Sequence, residues 1–279
     1  MPEPTVCAVM LTADRPELAR RAVECFRRQA YPAKRLLVYD TGAEDVEMDW
    51  LGDEDDSRHQ DIEVLESAGV DHHGERKTIG YLRNRANAAA AERDARILIH
   101  WDDDDWSHPN RMAEQVELLQ SSGADAVGYN ELLFCYSSEI GRLDLQRTGE
   151  AWIYTGSILG TSLCYWRKTW ERVPFRSQRA NPMHDKGVGE DHDFLLDLHA
   201  AGMKSVGVSG FGHDEPTVKL SCQGTDFGPR MIARIHGSNT SNAYNPADMA
   251  RETQHWKRVP EWDQFCRRTM EWKRDGIGC

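Results

Sequence analysis

A short apolar segment, Ile97-Leu98-Ile99-His100-Trp101, is followed at once by four aspartates, Asp102 to Asp105. A run of this length and composition is typical of a buried strand. The four carboxylates then follow the carboxyl end of that strand, which is where ligands bind in open α/β sheets. Adjacent carboxylates repel one another and resist burial unless a cation neutralises them, and a hard divalent cation is the usual partner. The segment therefore predicts a metal site, with a solvated acidic turn as the alternative.

Before this segment the sequence alternates between strand-like and helix-like stretches. Residues 6–11 and 35–39 are short apolar runs, and the stretch from Pro16 to about residue 30 has apolar residues at helical spacing. Asp14 is a candidate N-cap for this helix, and Pro16 lies near its first position. A strand, a helix and a second strand imply a parallel pair. The alternation continues to about residue 130, with further strands expected at 62–65, 97–101 and 124–130 and helices at 80–93 and 109–123.

The pattern changes after residue 130. Residues 132–140 and 151–166 are rich in β-branched and aromatic residues, which favours strands and an antiparallel contribution. A helix is expected over 190–201 with Gly202 as its C′ residue, then a strand over 205–208, a loop over 209–230 and a helical tail from about Pro246. The chain is therefore predicted to be an α/β protein with an open, mostly parallel sheet flanked by helices, an antiparallel contribution and a C-terminal helical extension.

Bulk properties exclude several classes of protein. The formal net charge is -12 at pH 7, whereas broad nucleic-acid binding leaves a basic footprint. The seven cysteines are scattered and form no C-x-x-C pair, which favours a reducing compartment and no structural zinc. The sequence has no basic-then-apolar leader and no apolar run approaching 18 residues. We therefore expect a cytoplasmic enzyme that does not bind nucleic acid.

Two further acidic features accompany the aspartate run. Asp40 ends the second expected strand, where a turn or capping aspartate would also be ordinary. Glu190 and Asp191 follow a glycine-containing stretch and begin an expected helix. The helix dipole favours acidic residues in a first turn for structural reasons alone, so this pair is weak evidence by itself.

Taken in order, these stretches resemble the motifs of family 2 glycosyltransferases with a GT-A fold. The resemblance covers residues 5 to about 241, and its motifs lie at 5–11, 38–42, 82–86, 101–105 with Pro109, 189–191 and 235–241. It implies metal-dependent transfer of a sugar from a nucleotide-diphosphate donor, expected to be a UDP-sugar, to an acceptor hydroxyl with inversion.

The resemblance also implies which residues bind the donor. Asp40 resembles the acid that hydrogen-bonds the uracil ring, although Thr41 stands where the family often has a second aspartate. Thr12 and Arg15 occupy the loop that lies against the nucleotide. Arg83 resembles the residue near the ribose and the phosphates.

The same resemblance implies a site for Mn²⁺ or Mg²⁺. Asp102 and Asp104 match the outer positions of the family's D-x-D signature, and Asp103 between them is assigned to nucleotide binding. The run also permits a second register, Asp103 with Asp105. His236 resembles a third metal ligand, with a polar loop histidine as the alternative. A divalent ion held by one or two carboxylates and two phosphates would neutralise the charge of the leaving diphosphate.

Asp191 resembles the catalytic base of the family. It would accept the proton of the acceptor hydroxyl as that oxygen attacks the anomeric carbon. Glu190 would orient the acceptor or the base. Two other classes remain open: a nucleotidyltransferase acting on a sugar phosphate, and a non-catalytic homologue that binds a nucleotide sugar or a metal.

The tail is expected to be an extension of the main domain. Residues 1–242 would form the glycosyltransferase domain, and residues 243–279 would pack on it. The tail carries tryptophans interleaved with lysines and arginines, so it would suit packing on the domain, a dimer contact or a peripheral contact with a membrane. The sequence specifies neither the sugar nor the acceptor, which could be a glycan, a lipid carrier, a peptide or a small molecule.

Overall fold

A mixed sheet forms the centre of the chain in the computed structural model, which describes residues 3–42, 61–136, 150–177, 189–212, 220–222, 225–235, 251 and 253–259. Its helices are α1 Pro16–Arg27, α2 Ile79–Glu92, α3 Arg111–Ser121, α4 Arg167–Arg172 and α5 Glu190–Ala200. Its strands are β1 Val6–Thr12, β2 Lys34–Asp40, β3 Ile62–Glu66, β4 Ile97–His100, β5 Trp106–Ser107, β6 Ala126–Tyr136, β7 Glu150–Thr155, β8 Cys164–Trp166, β9 Ser205–Ser209, β10 Phe211–Gly212, β11 Leu220–Cys222, β12 Thr225–Pro229, β13 Met231–Ile235 and β14 Trp256–Arg258.

The strands of the main sheet follow the order β14-β7-β6-β8-β4-β1-β2-β3. Strands β4, β1, β2 and β3 are parallel, and β8 pairs antiparallel with both β4 and β6. The long β6 also pairs in parallel with β9 and β13 and antiparallel with β7. The expected α/β class, with a mostly parallel sheet and an antiparallel contribution, is confirmed.

Helices cover both faces of the sheet. Alternate residues of β1 belong to two different cores: Val6, Ala8 and Met10 pack with α1 and α3, whereas Cys7 and Val9 pack with α2 and α5. A strand buried on both faces has no polar side to present, which explains why β1 is a continuous apolar run rather than an alternating one. The parallel strands are thereby fixed in the interior, and their carboxyl ends form one edge.

Local sequence signals define most of the expected helices. Pro16 stands in the first turn of α1, and the Thr78 side chain caps α2 by accepting a hydrogen bond of 3.2 Å from the Tyr81 amide. Gly202 has a φ of +72°, the left-handed conformation expected of a C′ residue after α5. The expectation that Asp14 caps α1 was wrong. Arg15 is at the N-cap position, without a side-chain capping hydrogen bond, and Asp14 precedes it with a φ of +54°.

Two further expectations were also wrong, one in each half of the chain. The stretch 209–230, expected to be a loop, contains β10, β11 and β12, which pair antiparallel as a small separate sheet. Glycine is depleted in strands, so the sequence of this stretch predicted these strands only weakly. The strands that pair with one another lie close together in the chain. Pro109 does not open the third helix, because α3 begins at Arg111.

The described part of the tail contains a strand where a helix was expected. Strand β14 pairs antiparallel with β7, and Trp256 is buried against Phe134 and Tyr154 at ring-centroid distances of 5.1 and 5.0 Å. The open edge of β7 supplies backbone partners that a sequence pattern does not reveal. Trp256 therefore contributes to the core. The division at residue 242 stays a prediction, and the tail residues before 251 and after 259 lie outside the described residues. Within the described chain, no helix has the length and apolar character to cross a membrane.

Candidate functional site

Three strands of the sheet deliver the candidate residues to one edge. Thr12 at the end of β1 pairs with Asp40 at the end of β2, and Asp102 follows shortly after the end of β4. These strands are parallel neighbours, so their carboxyl ends meet. This edge is where open α/β sheets place their ligands.

The four aspartates divide into two alternating pairs, and the inner-facing pair is held by the protein itself. Asp103 is 2% exposed; one carboxylate oxygen accepts a 2.7 Å hydrogen bond from the Thr12 hydroxyl, and the other lies 2.8 Å from the Arg15 guanidinium. Asp105 accepts hydrogen bonds from the Thr161 hydroxyl and, at 3.0 Å, from the Arg234 amide. The segment Asp102 to Asp105 is here called the acidic turn. Asp103 and Asp105 therefore fix the conformation of the acidic turn.

Asp102 and Asp104 occupy the more open positions of the turn. Their side chains are 30% and 10% exposed, against 1% for Asp103. Asp102 Oδ1 lies 3.4 Å from Arg83 Nη2, and Asp104 Oδ2 lies 3.5 Å from Arg15 Nη1. These contacts are longer than a strong charge-assisted hydrogen bond, which is about 2.7–2.9 Å. Asp102 is thus the most exposed of these three aspartates, and Asp103 is the most buried.

The acidic turn carries more negative charge than its cations neutralise. Burial, with the Asp104 and Asp102 carboxylates as further causes, raises the pKa of Asp103 to about 7, although Arg15 and Thr12 oppose the shift. Burial and the same two neighbours also raise the pKa of Asp105 well above its ordinary value. A bound cation would relieve this repulsion.

Arg83 connects the acidic turn to the start of α5. This α2 residue is 7% exposed, with Nε 3.1 Å from Glu190 Oε1 and Nη2 3.4 Å from Asp102 Oδ1. Burial opposes its charge, but Asp102 and Glu190 raise the pKa of the guanidinium above its ordinary value. Arg83 Nη1 is buried, and no acceptor reaches it among the described residues. A buried donor of this kind is suited to an anionic ligand or a water molecule.

Glu190 and Asp191 begin α5 after Gly189, whose φ of +92° favours glycine. Burial and the adjacent Asp191 raise the pKa of Glu190 to about 7, while Arg83 lowers it. Glu190 forms an ion pair with Arg83. Asp191 is instead partly exposed and lies directly against Gly160. Glu190 is thus linked to Asp102 through the Arg83 guanidinium, and Asp191 follows it in the first turn of α5.

The other expected nucleotide-binding residues lie on the β1–β2 side of the edge. Asp40 is 4% exposed, its Oδ1 accepts a 2.8 Å hydrogen bond from the Gly42 amide, and burial raises its pKa. Thr12 is also buried, and its hydroxyl is engaged by Asp103, so it supports the acidic turn. Arg15 remains 22% exposed in its side chain. His236 lies outside the described residues.

Sequence reasoning missed a group of buried polar residues behind the acidic turn: His100, Arg111, Gln115 and the short 3₁₀ turn Gly160–Ser162. His100 was treated as part of an apolar strand. No motif or spacing marks these residues, because their partners come from elements far apart in the sequence. The one available signal was the presence of polar residues within apolar runs.

Comparison with known proteins adds evidence on the fold. No protein-family model and no curated protein sequence matches the chain. Among solved structures, S. aureus TarS 1-349 in complex with UDP matches with a TM-score of 0.50 at 12% identity, over 83% of this chain and 60% of that one. The mannosyltransferase PcManGT from Pyrobaculum calidifontis, in complex with GDP-Man and Mn²⁺, matches with a TM-score of 0.52 at 14% identity, over 96% of this chain and 69% of that one.

The chain has a GT-A-like glycosyltransferase fold. At 12% and 14% identity the likeness establishes the architecture, and the activity has to be argued from the site. The match covers 60% of TarS 1-349, so the chain spans about three fifths of the length of that protein. The GT-A-like sheet accounts for the meeting of Asp40, the acidic turn and α5 at one edge.

The donor set of this GT-A-like site fits a hard divalent cation that is completed by a ligand. Among the described residues, no three His, Cys, Asp or Glu side chains come together as a ready-made metal site. Asp102 and Asp104 supply two carboxylates near an excess of negative charge. Mg²⁺ is commonly bound by one or two carboxylates together with substrate phosphates, so two protein ligands satisfy this chemistry.

Proposed function

We propose that this protein is a metal-dependent glycosyltransferase of the family 2 type. It moves a sugar from a nucleoside-diphosphate donor, with a UDP-sugar as the expected donor, to an acceptor hydroxyl with inversion at the anomeric carbon. Asp102 and Asp104 hold Mn²⁺ or Mg²⁺, and Asp191 is the general base.

One observation carries the proposal: four carboxylates gather at the carboxyl end of β4, and their contacts differ. Asp103 and Asp105 each have both carboxylate oxygens held by partners within the protein. Asp102 lies 3.4 Å from Arg83 with a side chain that is 30% exposed. The spacing of the aspartates from Pro109 favours Asp102 with Asp104 as the metal-binding pair over Asp103 with Asp105.

The donor would lie along the edge from β2 to α2. Asp40 would accept a hydrogen bond from the nucleotide base, and Arg15 would contact the nucleotide. Arg83 would direct its buried, unpaired Nη1 donor toward the phosphates. The divalent ion would neutralise the charge that develops on the departing diphosphate. The solved structures of similar fold support this class of donor, since PcManGT holds GDP-Man with Mn²⁺ and TarS 1-349 holds UDP-GlcNAc.

The residues at α5 would complete a direct displacement. The acceptor oxygen attacks the anomeric carbon, the bond from that carbon to the diphosphate oxygen breaks, and the hydroxyl proton passes to Asp191. The Asp191 carboxylate stands at the N-terminus of α5, where the helix dipole stabilises negative charge. Glu190 holds Arg83 in place through its 3.1 Å contact. One base and one departing phosphate suffice for inversion.

A donor panel tests the proposal. The protein is incubated with UDP-glucose, UDP-galactose, UDP-N-acetylglucosamine and GDP-mannose in Mn²⁺ or in EDTA, and release of the nucleoside diphosphate is followed by chromatography. We expect slow, Mn²⁺-dependent hydrolysis of one donor in the absence of an acceptor. Release of inorganic pyrophosphate from a nucleoside triphosphate and a sugar phosphate would support the nucleotidyltransferase instead. The absence of both turnover and nucleotide binding would contradict the glycosyltransferase and the nucleotidyltransferase alike.

A further inference from the structure

The 3₁₀ turn Gly160–Ser162, here called the seat, is held by three buried side chains. The three successive carbonyl oxygens of the seat accept hydrogen bonds from His100 Nδ1 at 2.7 Å, Arg111 Nη2 at 3.0 Å and Gln115 Nε2 at 2.6 Å. Each of these three side chains is 1% exposed. A short loop turn has no need of three buried donors for its own conformation, so the seat is fixed unusually firmly.

The partners of His100 define its role in this network. Asn87 Nδ2 donates a 2.9 Å hydrogen bond to the Tyr165 hydroxyl, which lies 3.2 Å from His100 Nε2. With its oxygen accepting from Asn87, the Tyr165 hydroxyl donates to Nε2, and Nδ1 therefore carries the ring proton. That proton points at the Gly160 carbonyl oxygen, which can only accept. The chain Asn87, Tyr165, His100 and Gly160 is a directed set of hydrogen bonds.

The seat is also tied to the acidic turn. Arg111 Nη2 donates both to the Thr161 carbonyl and, at 2.9 Å, to the carbonyl of His100, two residues before Asp102. The Thr161 hydroxyl donates to Asp105. Two independent connections therefore hold the seat against the end of β4 and against Asp105 of the acidic turn.

The seat meets α5 at Asp191, and only glycine permits the contact. A Cβ atom built on Gly160 would lie 2.0 Å from Asp191 Oδ2 and 2.4 Å from Asp191 Cγ. The carboxylate thus lies directly on the Gly160 backbone. Gly160 is not among the glycines with a positive φ, so alanine is compatible with its backbone and the steric contact is the relevant constraint.

We infer that the seat positions the Asp191 carboxylate relative to the acidic turn, with Gly160 and His100 as positioning residues for proton abstraction. The inference rests on the proposed function, in which Asp191 is the base. Without such contacts, the carboxylate of a base in the first turn of a helix would be less closely positioned. The seat instead joins the backbone against which the base lies to the end of β4 and to Asp105 by hydrogen bonds.

Gly160→Ala tests the inference because its methyl group would displace the Asp191 carboxylate and leave Asp40, Asp102 and Asp104 untouched. We expect kcat to fall about 100-fold, the effect of a displacement of about 1 Å, with the donor KM and UDP affinity unchanged. The double variant Gly160→Ala/Asp191→Asn should lose no more than Asp191→Asn alone, because both changes remove the same step. A crystal structure of Gly160→Ala should show the Asp191 carboxylate moved.

His100 variants supply a second, independent measurement. His100→Leu removes the donor to Gly160 and should lower kcat about tenfold, the value of one buried hydrogen bond. His100→Asn carries an amide nitrogen at the position of Nδ1 and should recover most of that loss. Equal losses in the leucine and asparagine variants would overturn the role of His100.

The outcomes separate this inference from the proposed function. An active wild-type protein with an equally active Gly160→Ala variant, or losses that add in the double variant, would overturn the seat alone. A wild-type protein that neither binds nor turns over any nucleotide sugar would overturn the proposed function and the catalytic role of the seat together. The thermal unfolding midpoint of Gly160→Ala is measured first, to verify that the variant is folded before its activity is compared with that of the wild type and the double variant.

Discussion

The Thr12 hydroxyl donates a 2.7 Å hydrogen bond to Asp103 Oδ2 across 91 residues of sequence. This bond joins the end of β1 to the acidic turn after β4 and decides which aspartates face inward. The Arg15 contact to the other oxygen of Asp103 completes the arrangement. The individual contacts of each aspartate, with Asp103 and Asp104 in a turn rather than a strand, define the arrangement of the run.

This orientation predicts opposite results for two neighbouring substitutions. Asp104→Asn should lose the Mn²⁺-dependent part of UDP binding, because it removes one of the two carboxylates that we assign to the metal. Asp103→Asn should keep Mn²⁺-dependent binding, since its amide oxygen can still accept from Thr12. Calorimetric titration with UDP in Mn²⁺ and in EDTA distinguishes them. The reverse pattern would favour the second register.

Sequence patterns predict the parallel half of the sheet and fail where partners are distant. The runs at β1, β2 and β4 are continuous because helices cover both faces, so each is recognisable by itself. The aspartates follow β4 as expected, but the contacts that distinguish one aspartate from another come from Thr12 and Arg15, which the local sequence does not contain. Strand β14 forms on the open edge of β7, and the seat is held by side chains from β4 and α3. Such features depend on tertiary contacts rather than on local propensity.

Asp191→Asn should lower the rate of sugar transfer about 10²–10⁴-fold and leave UDP affinity unchanged, because the change removes the proton acceptor without altering the β1–β2 side of the site. Asp94→Asn is a matched control: Asp94 is exposed, lies before β4 rather than after it, and has a φ of +59°, which asparagine tolerates. Rates of nucleotide release with and without acceptor measure the effect. Full activity in Asp191→Asn would require another base.

Arg83→Met should destabilise the protein by about 3 kcal/mol, because it leaves the buried Glu190 carboxylate without its cation. Glu190→Gln in the same background should recover most of that stability, because it removes the uncompensated charge. The double variant should remain inactive, since the bridge to Asp102 is lost. Urea unfolding of the wild type, the two single variants and the double variant measures the coupling. Additive losses would show that the two residues do not interact.

His108 predicts a pH dependence of stability. Its Nδ1 accepts a 3.1 Å hydrogen bond from the Asn110 amide, and burial, with Arg230 as a second cause, lowers its pKa to about 4. Because the unfolded chain binds this proton first, the contribution of His108 is present above about pH 6.5 and is lost as the pH falls toward 4. His108→Asn should therefore gain stability relative to the wild type over that window. Urea unfolding at pH 7.5, 6 and 4.5 measures the difference, and a constant difference would contradict the assignment.

Trp256→Ala should lower the free energy of unfolding by about 3 kcal/mol, because Trp256 is 4% exposed and packs on Phe134 and Tyr154. Lys257→Ala is the matched control, since Lys257 is exposed on the same strand. Chemical denaturation measures both. A tail that served a membrane surface through Trp256 would give no such loss in solution.

The central claim is that Asp102 and Asp104 bind a divalent ion together with a nucleoside diphosphate. Titration of UDP and of GDP into the wild-type protein, Asp104→Asn and Asp94→Asn, each in Mn²⁺ and in EDTA, tests it most directly. We predict that Mn²⁺ strengthens the binding of one nucleotide about tenfold or more in the wild type and in Asp94→Asn, and that Asp104→Asn loses this enhancement. Binding of neither nucleotide, or an enhancement that survives in Asp104→Asn, would contradict the claim.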